Sequence, residues 1–411
     1  MKSISGSARL ITLDAMRGFA VMGILAMNIV AFSMPEWAYV TPLAYGGETQ
    51  SDRIAWLFSF VFIDGKMRGL FSLLFGASMM LIIESADARG ESAKKVHYTR
   101  MFWLALFGLA HYFFIWFGDI LFLYASVGCI AFLFRNWEPR RLIKWALIIF
   151  GIGLLLWGVQ FGGLQVLQML ATAPDASTDL VKQYQDIKNS PDFSLNVAEQ
   201  IALHRGDYSA IVADKLAEWY SPLTLVLQSI TETLPLMMIG MAMKKNGFLT
   251  GEWMRADYAS WVKKLVPLGL LLSALLATWV AANGYDLITS LAVFFVWNAI
   301  PRLMLTIGYA ALLIMLIERM AGSGFIARVA ATGQAAFTNY LGTSIVMTTV
   351  FYGYGLGLFG FVSRLELWLF VFGAWAVILL WSKPWLAQFR YGPLEWLWRS
   401  LARMKLQPMK R

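Results

Sequence analysis

The chain is poor in the residues that build metal sites and disulfides. It has one cysteine, Cys129, and three histidines in 411 residues. A single cysteine excludes an internal disulfide and a cysteine-cluster metal centre. His97, His111 and His204 are too scattered to form a ligand pattern, so no metal is expected. Charge is scarce as well. Charged residues make up 14% of the chain and hydrophobic ones 59%, whereas a soluble domain carries about 25% charged residues. A soluble globular protein is therefore excluded, and mean hydropathy is +0.60. No P-loop, long-period repeat or low-complexity tract is present. No cleavable signal is expected either. The first apolar run is too long and too polar for a signal-peptide core, and should stay in place as an anchor.

What remains is a series of long apolar runs, each able to cross a hydrocarbon core of ~30 Å. About ten spans are expected, at residues 10–34, 66–86, 98–117, 119–135, 141–171, 221–243, 259–282, 287–317, 329–352 and 364–386. The fold class is therefore all-α, a polytopic helical bundle forming one membrane domain over residues 1–411. The run from Arg53 to Ile63 is apolar but too short to span and should lie at the interface. Cations gather in alternate loops, at Arg89, Lys94, Lys95 and Arg100, at Arg135, Arg140, Arg141 and Lys144, at Lys244, Lys245, Arg255, Lys263 and Lys264, at Arg319 and Arg328, and from Lys383 onward. The net charge of +9 thus follows the positive-inside rule and does not point to nucleic acid. With ten spans, both termini are cytoplasmic.

One large loop, 172–220, carries eight acidic and four basic residues together with Pro174 and Pro191. It is expected outside the cell membrane as a small helical cap, with short amphipathic helices over 196–204 and 208–220. The tail, 387–411, mixes tryptophans and charges and should lie as an amphipathic helix on the cytoplasmic leaflet. Gly353, Gly355 and Gly357 alternate at a helix end and read as a turn.

The spans are not uniformly apolar. The first carries Asp14, Arg17 and Asn28. A charge inside a spanning helix costs on the order of 3 kcal/mol or more, so such residues usually face the bundle interior. Asp14 and Arg17, at i and i+3, can neutralise each other. Arg17 and Asn28 lie about three turns and ~16 Å apart on one face, and are expected to line one cavity. The plain alternative is that all three only hold the bundle together.

His111 is the one histidine inside a span; His97 falls in a basic loop and His204 in the cap. Its helix leads to Asp119, and Tyr124 follows. An imidazole beside a carboxylate suits proton transfer. The alternative is a histidine satisfied by a carbonyl, with Asp119 capping the next helix. Lys66 and Arg68 fall on the acidic side of the topology and are candidates to hold an anion or Asp119; snorkelling to the interface is the alternative. Asn339 and Tyr340 open a late span, where they either line a cavity or hydrogen-bond neighbouring helices.

Several of these residues occur together in a recognisable set. It comprises Leu13-Asp14-Ala15-Met16-Arg17-Gly18-Phe19-Ala20 with Asn28, Gly65-Lys66 before Leu70-Phe71-Ser72-Leu73-Leu74-Phe75-Gly76, Gly108-Leu109-Ala110-His111 leading to Gly118-Asp119-Ile120-Leu121, Thr338-Asn339-Tyr340, and Gly392-Pro393-Leu394-Glu395-Trp396-Leu397-Trp398-Arg399. In this set, from about residue 9 to 400, the chain resembles the YeiB family, which has a domain of unknown function and a transport-related label. The resemblance implies a multi-pass protein of the bacterial cytoplasmic (inner) membrane.

A more distant resemblance is to transmembrane acyltransferases, through Arg17 and the position eleven residues on. The acyltransferase-3 branch has histidine there; the heparan-glucosaminide acetyltransferase branch has asparagine, as Asn28 is here. This implies transfer of an acyl group from cytoplasmic acyl-CoA, such as acetyl-CoA, to an acceptor across the membrane. No histidine lies between Asn28 and Lys66, so on this implication His111 is the general base and Asp119 orients it. Asn28 would hold the oxyanion or thioester carbonyl. Asp14 and Arg17 would flank the pantetheine arm, and Lys66, Arg68, Tyr124, Asn339 and Tyr340 would bind substrate. The partners would be membrane lipids and a small-molecule or glycan acceptor, with a homodimer left open. The rival reading is a transporter or exporter of a small anion or lipid-linked metabolite, using the same charges as binding site and proton relay. The lack of an internal repeat speaks against it. A lipid-binding protein without turnover is the third.

Overall fold

In lipid a spanning backbone must satisfy its own amides, and a helix does so within one segment. The computed structural model describes residues 6–190 and 193–411, with side chains from residue 11 onward. Pro191 of the cap therefore falls outside the described residues. Every regular element among those described is helical: α1 (Gly6–Ser33), α2 (Gln50–Phe62), α3 (Lys66–Asp87), α4 (Ala93–Phe114), α5 (Leu121–Ala131), α6 (Pro139–Trp157), α7 (Gly163–Ala171), α8 (Thr178–Lys188), α9 (Val197–Arg205), α10 (Tyr208–Ala217), α11 (Ser221–Lys245), α12 (Arg255–Ala282), α13 (Leu287–Ala292), α14 (Ala299–Arg319), α15 (Gly324–Gln334), α16 (Ala336–Phe351), α17 (Leu367–Gln388) and α18 (Pro393–Ala402). Among the described residues, seven stretches are long and apolar enough to cross a membrane by length and composition. The chain is an all-α, multi-pass membrane protein.

α1 is the central helix. Of its most apolar window 83% is buried, against 17% for the stretch Pro139–Ala171. It packs against α15, α16 and α3, while α11 packs against α3, α5 and α6, and α12 against α14. Close approach of α1 and α15 depends on small residues. A Cβ at Gly18 would lie 2.1 Å from the Val329 carbonyl oxygen, and one at Gly333 would lie 1.8 Å from that of Asp14. The outward faces of α6, α12 and α17 stay apolar, with Leu155, Leu271 and Leu369 exposed. Such faces suit lipid contact.

Three expected spans are interrupted. The run 329–352 is two helices, α15 and α16, with Glu395 accepting hydrogen bonds from the amides of Phe337 (2.6 Å) and Thr338 (3.1 Å) at the start of α16. The run 287–317 is α13, a π turn over Val293–Trp297, and α14. The run 141–171 is α6 and α7 joined by a π turn over Gly158–Gly162. These two π turns face each other, with Phe295 stacked 5.0 Å from Trp157 and 4.9 Å from Phe161.

The short run expected at the interface is α2, which turns into α3 through Gly65 at φ +69°. A Cβ there would sit 2.1 Å from Arg302 Cδ, so only glycine admits both the turn and the arginine. The loop 172–220 contains α8, α9 and α10, of which α8 was not expected. It docks through Arg205 Nε donating to the Phe359 carbonyl (2.8 Å) and Tyr208 Oη donating to that of Phe114 (2.8 Å). The glycine alternation is a turn against this cap, where the Gly353 amide donates to the His204 carbonyl (2.8 Å). α18 is not a free surface helix. Glu395 is buried and Trp398 Nε1 donates to the Arg100 carbonyl (3.0 Å), so one face of α18 packs into the bundle.

Candidate functional site

Two cavities enter the bundle from opposite ends of α1. One, of about 500 Å³, is lined by Asn28 and Arg68 among others. The other, of about 440 Å³, is lined by Asp14 and Arg17. The shared face on which Arg17 and Asn28 were expected to line one cavity thus opens into two. The helix is long enough, at ~16 Å between them, for a wall to stand in between.

That wall is built from the α4–α5 corner and α16. His111, in α4, is buried, and its Nδ1 lies 2.9 Å from Asp119 Oδ1. The other oxygen of Asp119 accepts from the Phe122 amide (2.8 Å) in the first turn of α5. One carboxylate therefore orients the imidazole and caps the helix, so the two readings of Asp119 coexist. His111 Nε2 is buried and has no hydrogen-bond partner among the described residues. Around it stand Tyr340, with its ring centroid 5.3 Å away, and Trp116, at 6.3 Å. Tyr340 Oη is 3.2 Å from the Gly118 carbonyl and 3.3 Å from the Ile120 amide, which ties α16 to the corner. Asp119 and Trp116 line the Arg68 cavity, Tyr340 and Tyr124 line the Arg17 cavity, and Ile120 lines both. His111 lies behind these residues and lines neither.

The Arg68 cavity holds a charge cluster that crosses three helices. Glu232 of α11 takes Arg68 of α3 on one oxygen and Arg302 of α14 on the other, each at 3.1 Å. The Asn28 side chain lines the same cavity and makes no hydrogen bond among the described residues. Tyr39 also lines it and donates to Asp64. Glu232 and Arg302 were not among the sequence candidates. Each is a charge inside an apolar span, which was signal enough to flag it; their pairing is not visible in one dimension.

The Arg17 cavity is cationic. Arg17 pairs with Asp14 at 3.0 Å and donates to Ser78 Oγ at 2.9 Å. Arg100, Arg390 and Arg399 join it in the lining, against two carboxylates among the described lining residues, Asp14 and Glu395. Glu395 is already engaged, accepting from Thr338 Oγ1 (2.6 Å) besides the two amides. Arg100 stacks over Trp398 at 4.1 Å, and its Nε has no partner among the described residues. Tyr124 Oη meets Ser72 Oγ at 2.9 Å at the deep end. On α18, outside the spans, burial holds the Glu395 carboxyl above its ordinary value and pulls Arg399 down.

Three expectations need correction. Lys66 lines neither cavity; it is buried and donates to the Phe60 carbonyl, because α2 folds back over it. Asn339 is saturated by its own neighbours, donating to the Thr332 carbonyl (3.0 Å) and Ser382 Oγ (3.2 Å) and accepting from Trp381 Nε1 (2.9 Å). It serves helix packing, the alternative weighed above. His97 is not in a loop. It sits in α4, with Nε2 3.0 Å from the Gly128 carbonyl and its ring stacked 4.7 Å from Phe132. No group of three or more metal-binding side chains occurs among the described residues.

The chain is 32% identical over 410 residues to "Uncharacterized protein YeiB" of Escherichia coli (strain K12), covering 96% of each. It belongs to the YeiB family. It is also 32% identical to "Uncharacterized protein YxaH" of Bacillus subtilis (strain 168), over 98% of this chain and 96% of that one. Residues 242–405 match the family described as "Protein of unknown function (DUF418)". No solved structure matches. The matched segment 242–405 of this YeiB-family chain contains Arg302, Tyr340, Glu395 and Arg399, whereas His111, Asp119 and Arg17 lie before it.

Proposed function

We propose that this protein is a transmembrane acyltransferase of the bacterial cytoplasmic (inner) membrane. It takes an acyl group from cytoplasmic acyl-CoA, such as acetyl-CoA, and passes it to an extracytoplasmic or membrane-bound acceptor. About ten spans and cytoplasmic termini follow from the loop cations, and put the Arg17 cavity inside and the Arg68 cavity outside. The observation that carries the reading is the thin wall between the cavities, where Ile120 lines both and the His111–Asp119 pair stands directly behind. A donor and an acceptor approaching from opposite sides would meet there.

The parts fit the chemistry. Four arginines in the inner cavity suit the phosphates of a coenzyme A, and Phe71, Leu74 and Leu104 suit its pantetheine arm. With Nδ1–H held by Asp119, His111 keeps its lone pair on Nε2. Nε2 takes the proton of an acceptor hydroxyl or amine as that atom forms its bond to the thioester carbonyl carbon. The C–S bond then breaks, and the imidazolium returns the proton to the departing thiolate. Asn28, whose side-chain amide lines the outer cavity, would donate to the oxyanion. Because Trp116 and Tyr340 screen His111, loading must shift at least one of them.

The test is transfer of labelled acetyl from acetyl-CoA in vesicles, with acceptors offered on each side. His111→Ala should lose at least ~10²-fold in rate, the usual contribution of a positioned base, while keeping its folded yield. Full activity in that variant would remove the base assignment. One observation favours a transporter, namely a paired charge cluster crossing three helices inside the Arg68 cavity. Label crossing intact, with no covalent product, would establish that reading instead.

A further inference from the structure

The Arg68 cavity has two unlike walls. One is polar, with Asn28, Glu36, Arg68, Asp119, Glu232 and Arg302. The other is formed by Trp157, Phe161 and Phe295, where the two π turns meet, with Gln160 and Gln228 at its edge. π turns inside helices recur at functional sites. Gln160 and Gln228 are exposed, so on this side the cavity reaches the outer surface of the bundle. The surface around that mouth is apolar: Val159 is 71% exposed and Leu227 67%.

The mouth lies at membrane depth. Gly158 comes fourteen residues after Lys144, the last cation of its loop (158 − 144), which is ~21 Å along the helix. Gln228 comes sixteen residues before Lys244 (244 − 228), ~24 Å by the same rise. Both fall short of the ~30 Å hydrocarbon thickness. The opening therefore faces acyl chains, in the half away from the cationic loops.

In the polar wall Arg68 and Arg302 stand against Glu232 and Asp119, two charges of each sign. Glu232 is shared by two arginines and Asp119 is engaged by His111. Glu36, in the loop after α1, is exposed at the rim. Such a lining leaves little excess charge to select an ion. It offers acceptors, guanidinium donors and the amides of Asn28, Gln160 and Gln228, beside flat aromatic faces. That combination suits hydroxyls and the C–H faces of sugars.

We infer that the Arg68 cavity is loaded sideways from the bilayer, and that its occupant is a membrane-anchored amphiphile with an uncharged, hydroxyl-rich headgroup. The inference names the acceptor class for the proposed transfer and rests on that reading only for this role; the binding stands by itself. The probe is a photoreactive galactosyl diacylglycerol in phosphatidylcholine vesicles containing the purified protein. Photoreactive phosphatidylcholine and phosphatidylglycerol at equal fraction serve as controls. Crosslinks are mapped to peptides spanning 157–161 and 293–302.

The glycolipid should label these peptides at least about fivefold above either phospholipid. Gln228→Trp, at an exposed mouth position, should cut that labelling by a similar factor while eluting as folded protein, and Gln160→Trp should do the same. Excess methyl galactoside should leave it in place, since the anchor supplies much of the binding. Equal labelling by all three lipids, or labelling indifferent to both tryptophan variants, would overturn the inference. Displacement by the soluble sugar would overturn the lateral, lipid-anchored source. Labelling without acyl transfer would sink only the enzyme reading; transfer to a soluble acceptor with no labelling would sink only this one.

Discussion

Glu232 holds two cations, and neutralising it tests whether the three-helix cluster stabilises the fold. In Glu232→Gln, Arg302 becomes a cation with 6% of its side chain exposed and no counter-ion, while Arg68 is 28% exposed. At an effective dielectric near 20, one unit pair at about 4 Å is worth ~4 kcal/mol, and breaking a buried pair costs about 3–5 kcal/mol in practice. The Arg68 contact is wetter and is counted at no more than ~1 kcal/mol. The expected loss is therefore ~3–6 kcal/mol, dominated by Arg302. Adding Arg302→Met removes the orphaned charge and should recover about half or more of it. Unfolding in mixed micelles of increasing SDS fraction, followed by tryptophan fluorescence, gives the free energies. A loss under ~1 kcal/mol, or a double variant no more stable than Glu232→Gln, would refute the reasoning.

Other outcomes follow from single positions. Gly65→Ala forces a side chain into left-handed backbone and onto Arg302, and should cost ~2–3 kcal/mol in the same assay, less than additively with Glu232→Gln. Gly333→Ala places a methyl on the Asp14 carbonyl and should abolish folded yield, measured by monodisperse elution. Asn339→Leu strands Trp381 Nε1 and the Thr332 carbonyl and should lose ~2 kcal/mol, with transfer per folded molecule unchanged. Arg100→Gln should raise the KM for acetyl-CoA about tenfold, ~1.4 kcal/mol, with kcat held. In the cap, burial, assisted by Lys215, holds His204 below its ordinary value, against the hydrogen bond to the Gln200 carbonyl. The folded form then prefers the neutral ring. Stability from this group is present above pH ~6.5 and declines as pH falls below it. Hydrogen exchange over 197–217 should quicken there, and His204→Gln should flatten the response.

The sequence by itself determined the fold class, because a chain this apolar can satisfy its backbone in lipid only as helices. It also marked Asp14, Arg17, His111 and Asp119, since charge in an apolar run is legible without coordinates, and local spacing put Arg17 beside Asp14 and His111 near the Asp119 turn. The short cap helices over 197–205 and 208–217 were readable from amphipathic pattern. Long-range pairing was not. That Arg17 and Asn28 open to separate cavities, that Glu232 joins Arg68 to Arg302, and that α18 supplies Glu395, Arg399 and Trp398 to the Arg17 cavity were decided only by how helices far apart in sequence pack. Asn339 and Lys66 show the same limit from the other side. Both look functional as polar residues in apolar runs, yet Asn339 is satisfied by Ser382 and Trp381, which only tertiary structure brings near, and Lys66 by the Phe60 carbonyl six residues back, turned toward it by the bend at Gly65. The physical reason is that a sequence displays which groups are costly to bury, whereas the partner that offsets the cost is chosen by packing.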